Sequence, residues 1–490
     1  MNGESSERGN LKFLMSVQIF LQGKILGVEQ FLLTSSSDMD GAAHWVALLS
    51  EILPRALLAE FGLSKILLGS SGGEQFLLVL PIEMRAQAEE FLQHASAHIE
   101  QVSAGAMKLV WAATENLGDW TVVRKRLNEE MQRKLGSPAV AAAPDFFAPY
   151  PGDSGNRTSD YFRSELGRRL REAESVGWSP EEPAYVHVGS GKHQFPIATS
   201  LEGVPYARHA ALSDDGMSLA TLDDLAGRSQ GRKAWGVLRG DVDSFGVRLR
   251  RAASIEEHIQ LSVMMKQFFA GELEVLCSMP EFWRRVTLLY SGGDDFAVYG
   301  AWDALIALAS EVHRLFQRFA EGNLKDFPGP EGKTITMSLA VARDEHATLP
   351  AVFEEAGHGL ETAKSSGKDC FWLFGRTLEW KHLTDASDAK DSMVRMVHEF
   401  GVSPQFLYEL GSFYRDSQQS GIGRARNVRL ERPWRFHRRL QKVLGSRGGK
   451  EFQKLRTEMI SEFTGRNAAQ VRLRPAGRVA LEWARLQTMS

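Results

Sequence analysis

The sequence predicts an α+β fold in which one β-α-β-β-α-β unit occurs twice and a helical segment follows. Three observations carry this reading. Residues 231–380 run strand, helix, strand, strand, helix, strand, with Ser291-Gly292-Gly293-Asp294-Asp295 between the two middle strands. Residues 11–135 mix strands and helices around a matching turn, Ser71-Gly72-Gly73-Glu74. Residues 381–490 have no strand pattern and read as helical, with glycine-rich breaks at Gly421–Gly423 and Gly445–Gly449.

The second unit is the clearest. Trp235–Val242 is a short apolar run that ends in acids, so a strand. Ser254-Ile-Glu-Glu257 is a capping-box pattern, expected to open a long helix towards Met279. Val286–Tyr290 and Phe296–Tyr299 are strands joined by the glycine-aspartate turn. Trp302–Ala320 has helical apolar spacing. Thr334–Ala342 alternates, with Ile335, Met337, Leu339 and Val341 on one face. Pro350–Lys364 reads as a helix and Cys370–Phe374 as a last strand. This is the ferredoxin-like order.

The first unit repeats it. Gly27-Val28-Glu29-Gln30-Phe31 parallels Asp241-Val242-Asp243-Ser244-Phe245, and Phe76 parallels Phe296. On this alignment Gly27 stands where the second unit has an aspartate. Residues 136–230 hold Ala-Pro, Pro-Gly and Gly-Ser clusters and read as an irregular connector with one charged helix near Arg163–Ser175.

Composition narrows the function classes. A chain of 490 residues with 43% apolar and 24% charged residues is ordinary for a globular protein of several domains. Two cysteines, Cys277 and Cys370, give neither a structural zinc site nor a disulfide scaffold. No apolar run reaches the roughly 18 residues that span a bilayer, and Met1–Asn10 is polar, so a cytoplasmic location is expected. The net charge of −3 makes any nucleic-acid contact local. Arg415–Lys450 is the basic stretch, and Trp434 and Phe436 among its arginines suit RNA or a partner subunit as well as a solvated helix face.

The chemistry lies with the carboxylates. Nucleotidyl transfer uses divalent cations that clamp the attacking and leaving oxygens. A split βαβ sheet sets the end of its first strand beside the next hairpin. Asp241 and Asp243 occupy the first place, Asp294 and Asp295 the second. Gly292 and Gly293 are expected to allow positive φ and close approach to a phosphate, and the hairpin acids are expected to be exposed. Lys364 and Lys368 follow within reach of a triphosphate. Either element alone is also a common surface turn or strand end. Their conjunction favours function.

The segment Gly240–Lys368 resembles the catalytic palm of the large subunit of type III CRISPR–Cas effector complexes, the CRISPR polymerase of the Csm and Cmr systems. The order of first palm, connector, second palm and helical domain is similar as well. The resemblance implies a synthase that joins ATP by 3′–5′ nucleotidyl transfer into cyclic oligoadenylates when target RNA is bound. It implies Mg2+ or Mn2+ at Asp241, the Val242 carbonyl, Asp243, Asp294 and Asp295. It implies nucleotide contacts at Ser291, Gly292, Gly293, Lys364 and Lys368. The first palm would hold a second ATP at Gly72, Gly73 and Glu74 without metal. Partners would be the other subunits of the ribonucleoprotein, guide RNA and target RNA, with no membrane. Two departures stand out. No histidine is followed by aspartate, which argues against an HD nuclease, and the connector has no cysteine for a zinc ribbon. Two other readings remain, a diguanylate-type cyclase, which shares a palm with a Gly-Gly-Asp/Glu-Glu-Phe turn, and a silent scaffold subunit.

Overall fold

The computed structural model describes residues 17–35, 38–136, 160–198, 203–419, 449–464 and 475–489, together with 438 and 442. The polar N-terminus, the first part of the connector, the glycine-rich breaks apart from Gly449, and the Arg-Trp-Phe stretch apart from Arg438 lie outside them.

The first palm is a four-stranded sheet of β1 (Gln18–Leu26), β2 (Leu68–Gly72), β3 (Gln75–Pro81) and β4 (Lys108–Glu115), in the order β2-β3-β1-β4. Three short strands follow, β5 (Ser175–Trp178), β6 (His187–Val188) and β7 (His193–Pro196). The second palm contains β8 (Trp235–Val242), β9 (Val286–Ser291), β10 (Asp295–Ala301), β11 (Ile335–Val341), β12 (Cys370–Leu373) and β13 (Arg376–Glu379), in the order β13-β12-β11-β8-β10-β9. Its β9-β10-β8-β11 part reproduces the order of the first sheet. Every strand expected in this palm is present within a residue or two, and β13 adds an edge hairpin.

Three details differ from the sequence reading. The helix opened by Ser254 runs Ile255–Gln267, passes through a π-helical stretch at Phe268–Glu272 and ends at Cys277. Strand β11 lies between β8 and β12 and is buried on both faces, so its alternation does not mark a solvated side. The described connector residues, 160–198 and 203–228, are not loose. Their three-stranded sheet shares a core with the first palm, where Phe162, Leu166, Val176 and Trp178 pack with Trp45 and Ile52.

Helix Met39–Glu60 is, among the described residues, long and apolar enough to span a bilayer by length and composition, which the sequence reading did not expect. It is a core helix. Trp45, Leu48, Leu49, Ile52 and Leu53 are fully or almost fully buried inside the protein.

The two palms pair face to face. Helix Met39–Glu60 of the first packs on β9 of the second, and helix Ile255–Gln267 of the second packs on β2 of the first. Arg124 fastens the pair by donating to the carbonyls of Leu249 (3.0 Å) and Ala252 (3.1 Å). At the C-terminal end, helices Leu383–His398 and Pro475–Thr488 pack on each other, and Leu486 accepts a hydrogen bond from the Arg232 backbone (2.8 Å).

Candidate active site between two palms

The register of the sheets defines the site. In the second palm Asp295 lies opposite Asp241 and Phe296 opposite Gly240. The Val242 N–H donates to the Asp294 carbonyl (2.9 Å). In the first palm Gln75 lies opposite Lys24 and Phe76 opposite Gly23. The Ile25 N–H donates to the Glu74 carbonyl (2.8 Å). A Cβ on either Gly23 or Gly240 would overlap the ring of its facing phenylalanine. The turn after each strand uses a left-handed residue, Gly27 (φ 80) or Ser244 (φ 59).

These equivalences correct the sequence alignment by three residues. The counterpart of Asp241 is Lys24, not Gly27. Glu74 and Gln75 are the counterparts of Asp294 and Asp295. Gly27 is required by its backbone, since a Cβ there would overlap the Ala106 carbonyl.

Asp241, Asp294 and Asp295 come together at one edge of the second sheet, and the two glycine hairpins meet tip to tip. A Cβ on Gly73 would stand 3.5 Å from the Gly293 nitrogen and 3.6 Å from Asp294 Oδ1. The acids are held in a poorly solvated place, contrary to their expected exposure. Burial, then Asp295 and Asp241, pushes Asp294 up to about 8. Burial raises Asp241 to about 6 although Lys364 Nζ sits 2.9 Å from its Oδ1, so desolvation outweighs that ion pair. Burial also raises Asp295, against a hydrogen bond from the Tyr290 hydroxyl (3.1 Å). Glu74 of the first palm is raised to about 7 by burial and by Asp295. Carboxylates that repel one another in a desolvated place gain from a cation.

The donor set fits a hard divalent cation, which takes oxygen ligands and completes its shell with substrate phosphates. Among the described residues no three side chains close on one point as a preformed cage. Asp241, Asp294 and Asp295 are the residues that would hold such an ion.

Asp243 is different, and here the metal expectation is corrected. The chain leaves the strand at Val242, and the Asp243 carboxylate turns inward. It accepts from Thr334 Oγ1 (2.7 Å), Thr336 Oγ1 (2.7 Å) and the Asp369 N–H (2.9 Å). It is 4% exposed and fully engaged, so it braces β8, β11 and the turn before β12. Asp243→Ala is expected to leave three donors without their acceptor, the buried Thr336 hydroxyl among them, and to cost about 3 kcal/mol in stability, measured by urea unfolding. A loss confined to activity, with unchanged unfolding, would return Asp243 to the metal site.

The glycines also differ from expectation. Gly292 and Gly293 are not at positive φ, whereas Gly72 (φ 96), Gly73 (φ 58) and Glu74 (φ 62) are. Gly292 is needed for space, because a Cβ there would overlap Asp295 Oδ1. Ser291 anchors the hairpin by donating to the Phe269 carbonyl (2.6 Å), inside the π-helical stretch. Lys364 joins the acids. Lys368 does not; its Nζ donates to Ser244 Oγ (2.6 Å), and it lines a separate groove with Asp369, Glu379 and His382.

A partly open cavity lies between the palms and reaches Gly72, Gly73, Glu74, Ser291, Gly292 and Asp295. Its apolar wall includes Val28, Val46, Tyr206 and Phe353. Three charged residues in its lining escaped the sequence reading. Arg239 stacks over Phe353 (4.0 Å to the ring centroid) and pairs with Glu29 (3.3 Å). Lys266 pairs with Glu51 (2.8 Å) and donates to Ser71 Oγ (2.7 Å). Arg239 lies two residues before Asp241 on one strand face, and that spacing was the available signal. Glu51 and Lys266 sit in helices 215 residues apart, and nothing local marks them.

Sheet order, hairpin and acid edge define a paired-palm protein of the nucleotide cyclase/polymerase class. Residues 234–372 match the second palm domain of Cas10/Cmr2, and the chain is similar to Cas10/Csm1 proteins of subtype III-A CRISPR systems. It is 28% identical over 203 residues to the CRISPR system single-strand-specific deoxyribonuclease Cas10/Csm1 (subtype III-A) of Thermococcus onnurineus, covering 38% of this chain and 25% of that protein. The matched part thus spans about a quarter of that relative's length. The fold resembles Csm1 in the apo Csm1–Csm4 cassette, with TM-score 0.72 and 18% identity over 97% of this chain and 70% of that one. The cassette in complex with cA4 gives TM-score 0.71 and 16% identity over 96% and 70%.

Proposed function

We propose that this chain is the cyclic oligoadenylate synthase subunit of a type III CRISPR ribonucleoprotein. It joins ATP by 3′–5′ nucleotidyl transfer and works with the other subunits, guide RNA and target RNA. The observation that carries this is the register of Asp241 opposite Asp295, with Asp294 beside them at the tip that meets Gly72 and Gly73. The likeness to a Csm1–Csm4 cassette solved with cA4 supports the product class.

The residues divide the work. Mg2+ or Mn2+ held by Asp241, Asp294 and Asp295, with the Val242 carbonyl at the same strand end, would supply charge neutralisation at the phosphoryl oxygens. Gly292 and Gly293 let the backbone come close to the phosphates. Lys364, which pairs with Asp241 at 2.9 Å, stands where its ammonium would meet a triphosphate bound at these acids. The first palm holds the other nucleotide at Gly72, Gly73 and Glu74. The cavity wall of Val28, Val46, Tyr206 and Phe353 suits a base. Deoxyribonuclease action, present in the Thermococcus protein's name, is not part of this proposal, because no His-Asp pair occurs in the sequence.

The test is mass spectrometry of products formed from ATP and Mg2+ by the assembled complex, with and without target RNA. Cyclic oligoadenylates that appear on RNA addition are expected. Equal synthesis with and without RNA would remove the switch from the proposal, and no nucleotide product under either condition would leave the scaffold reading.

A further inference from the structure

The register of the first palm's strands bears on how its nucleotide is held. The position that bears a cation-binding acid in the second palm bears a cation in the first. Lys24 faces Gln75 as Asp241 faces Asp295. The strand-to-hairpin hydrogen bonds, Ile25 to Glu74 and Val242 to Asp294, are the same pair. The glycine–phenylalanine contacts beside them match as well. The two side chains therefore leave equivalent points of equivalent sheets, on the same face, next to a Gly-Gly-acid turn.

The surroundings of Lys24 suit an anionic ligand. It is half-buried, on a strand whose neighbours Gly23 and Ile25 are buried. Its ammonium forms no hydrogen bond or ion pair with the described residues, although Glu74 lies near enough to feel its charge. The adjoining turn is a run of three left-handed residues, Gly72, Gly73 and Glu74. Consecutive N–H groups in a turn of such residues form concavities that take phosphate. A half-buried ammonium beside such a turn provides the charge that a divalent cation provides elsewhere.

We propose that Lys24 is the first palm's built-in replacement for a divalent cation. Its ammonium meets the triphosphate of the nucleotide seated at Gly72-Gly73-Glu74. The two nucleotide sites of the chain then differ in kind. The first takes its nucleotide with or without a divalent cation, and the second requires one. This rests on the paired-palm reading above and assigns a division of labour within it.

The test is equilibrium binding of a non-hydrolysable ATP analogue to the full chain by calorimetry, in Mg2+ and in EDTA. Two equivalents are expected in Mg2+ and one in EDTA. Lys24→Gln should weaken the EDTA-resistant equivalent about tenfold or more, the loss of one charge-assisted contact, and Lys24→Arg should restore most of it. Asp241→Asn should remove only the Mg2+-dependent equivalent. If Lys24→Gln leaves EDTA-resistant binding unchanged while Asp241→Asn behaves as stated, Lys24 has no such role and the paired-palm reading stands. If the loss in Lys24→Gln disappears in a Glu74→Gln background, Lys24 serves only to neutralise Glu74, and the inference fails. If no analogue binds under either condition, the inference and the proposed function fall together.

Discussion

Replacing Asp294 and Asp295 together with alanine is expected to lower nucleotide polymerisation about a thousandfold or more. Several kcal/mol of transition-state charge stabilisation passes through a bound cation, and each 1.36 kcal/mol is about tenfold in rate. The fold should survive, and without metal it should become more stable. The reason is the sign of the shift. Asp294 is raised to about 8 from an ordinary carboxylate value of 3.8. Such a group contributes stability below its unfolded value and loses it as pH rises towards about 8. In neutral and alkaline solution the unliganded acids therefore strain the edge of the sheet. Asp294→Asn should raise the Tm of the metal-free chain by about 2–4 °C or more at pH 8.5 and change it little at pH 4. Mg2+ should raise the Tm of the wild type and leave that of the double variant unmoved. Product at the wild-type level in the double variant would remove these acids from the reaction.

Gly292→Ala should lower activity about a hundredfold and be almost silent in stability. The backbone at Gly292 is not in the left-handed region, so alanine meets no conformational penalty there. Its Cβ overlaps Asp295 Oδ1, however, and the carboxylate must swing away. Asp295 lies across from Asp241 and takes the Tyr290 hydroxyl, so its displacement breaks both arrangements. A shift of about 1 Å in a group that positions reactants can cost about a hundredfold in rate. Steady-state rates and thermal melts of the same preparation separate the two effects. Activity within twofold of wild type would mean that Asp295 does not have to stay where it is.

Much of this site was legible in the sequence because its parts are local. Strand β8 ends in acids, the turn between β9 and β10 is spelled by glycine and aspartate, and both lie where the ferredoxin-like order puts them. Asp241, Asp294, Asp295 and Lys364 do converge. The errors share a cause, which is that register is a property of pairs of strands. The alignment through Phe31 and Phe245 matched two apolar residues after a strand. The better anchor was the glycine facing a phenylalanine, Gly23 with Phe76 and Gly240 with Phe296, which lie 53 and 56 residues apart. The same limitation hid Asp243. An Asp-Val-Asp run puts both acids on one face only while the strand continues, and the chain bends after Val242. Lys368 looked like a partner of Lys364, but the left-handed backbone at Lys368 (φ 63) sends it to Ser244. Arg239, Glu51 and Lys266 gain their place only when the second palm packs on the first.

On the proposed function, two palms in one chain polymerise adenine nucleotides through the acids of the second. The most direct measurement gives the assembled complex equimolar ATP and GTP with Mg2+ and target RNA, and reads product masses and linkage for the wild type and the Asp294→Ala, Asp295→Ala variant. Cyclic 3′–5′ oligoadenylates from the wild type and none from the variant are predicted. Guanylate dimers as the main product, or adenylate rings that persist in the variant, would contradict it.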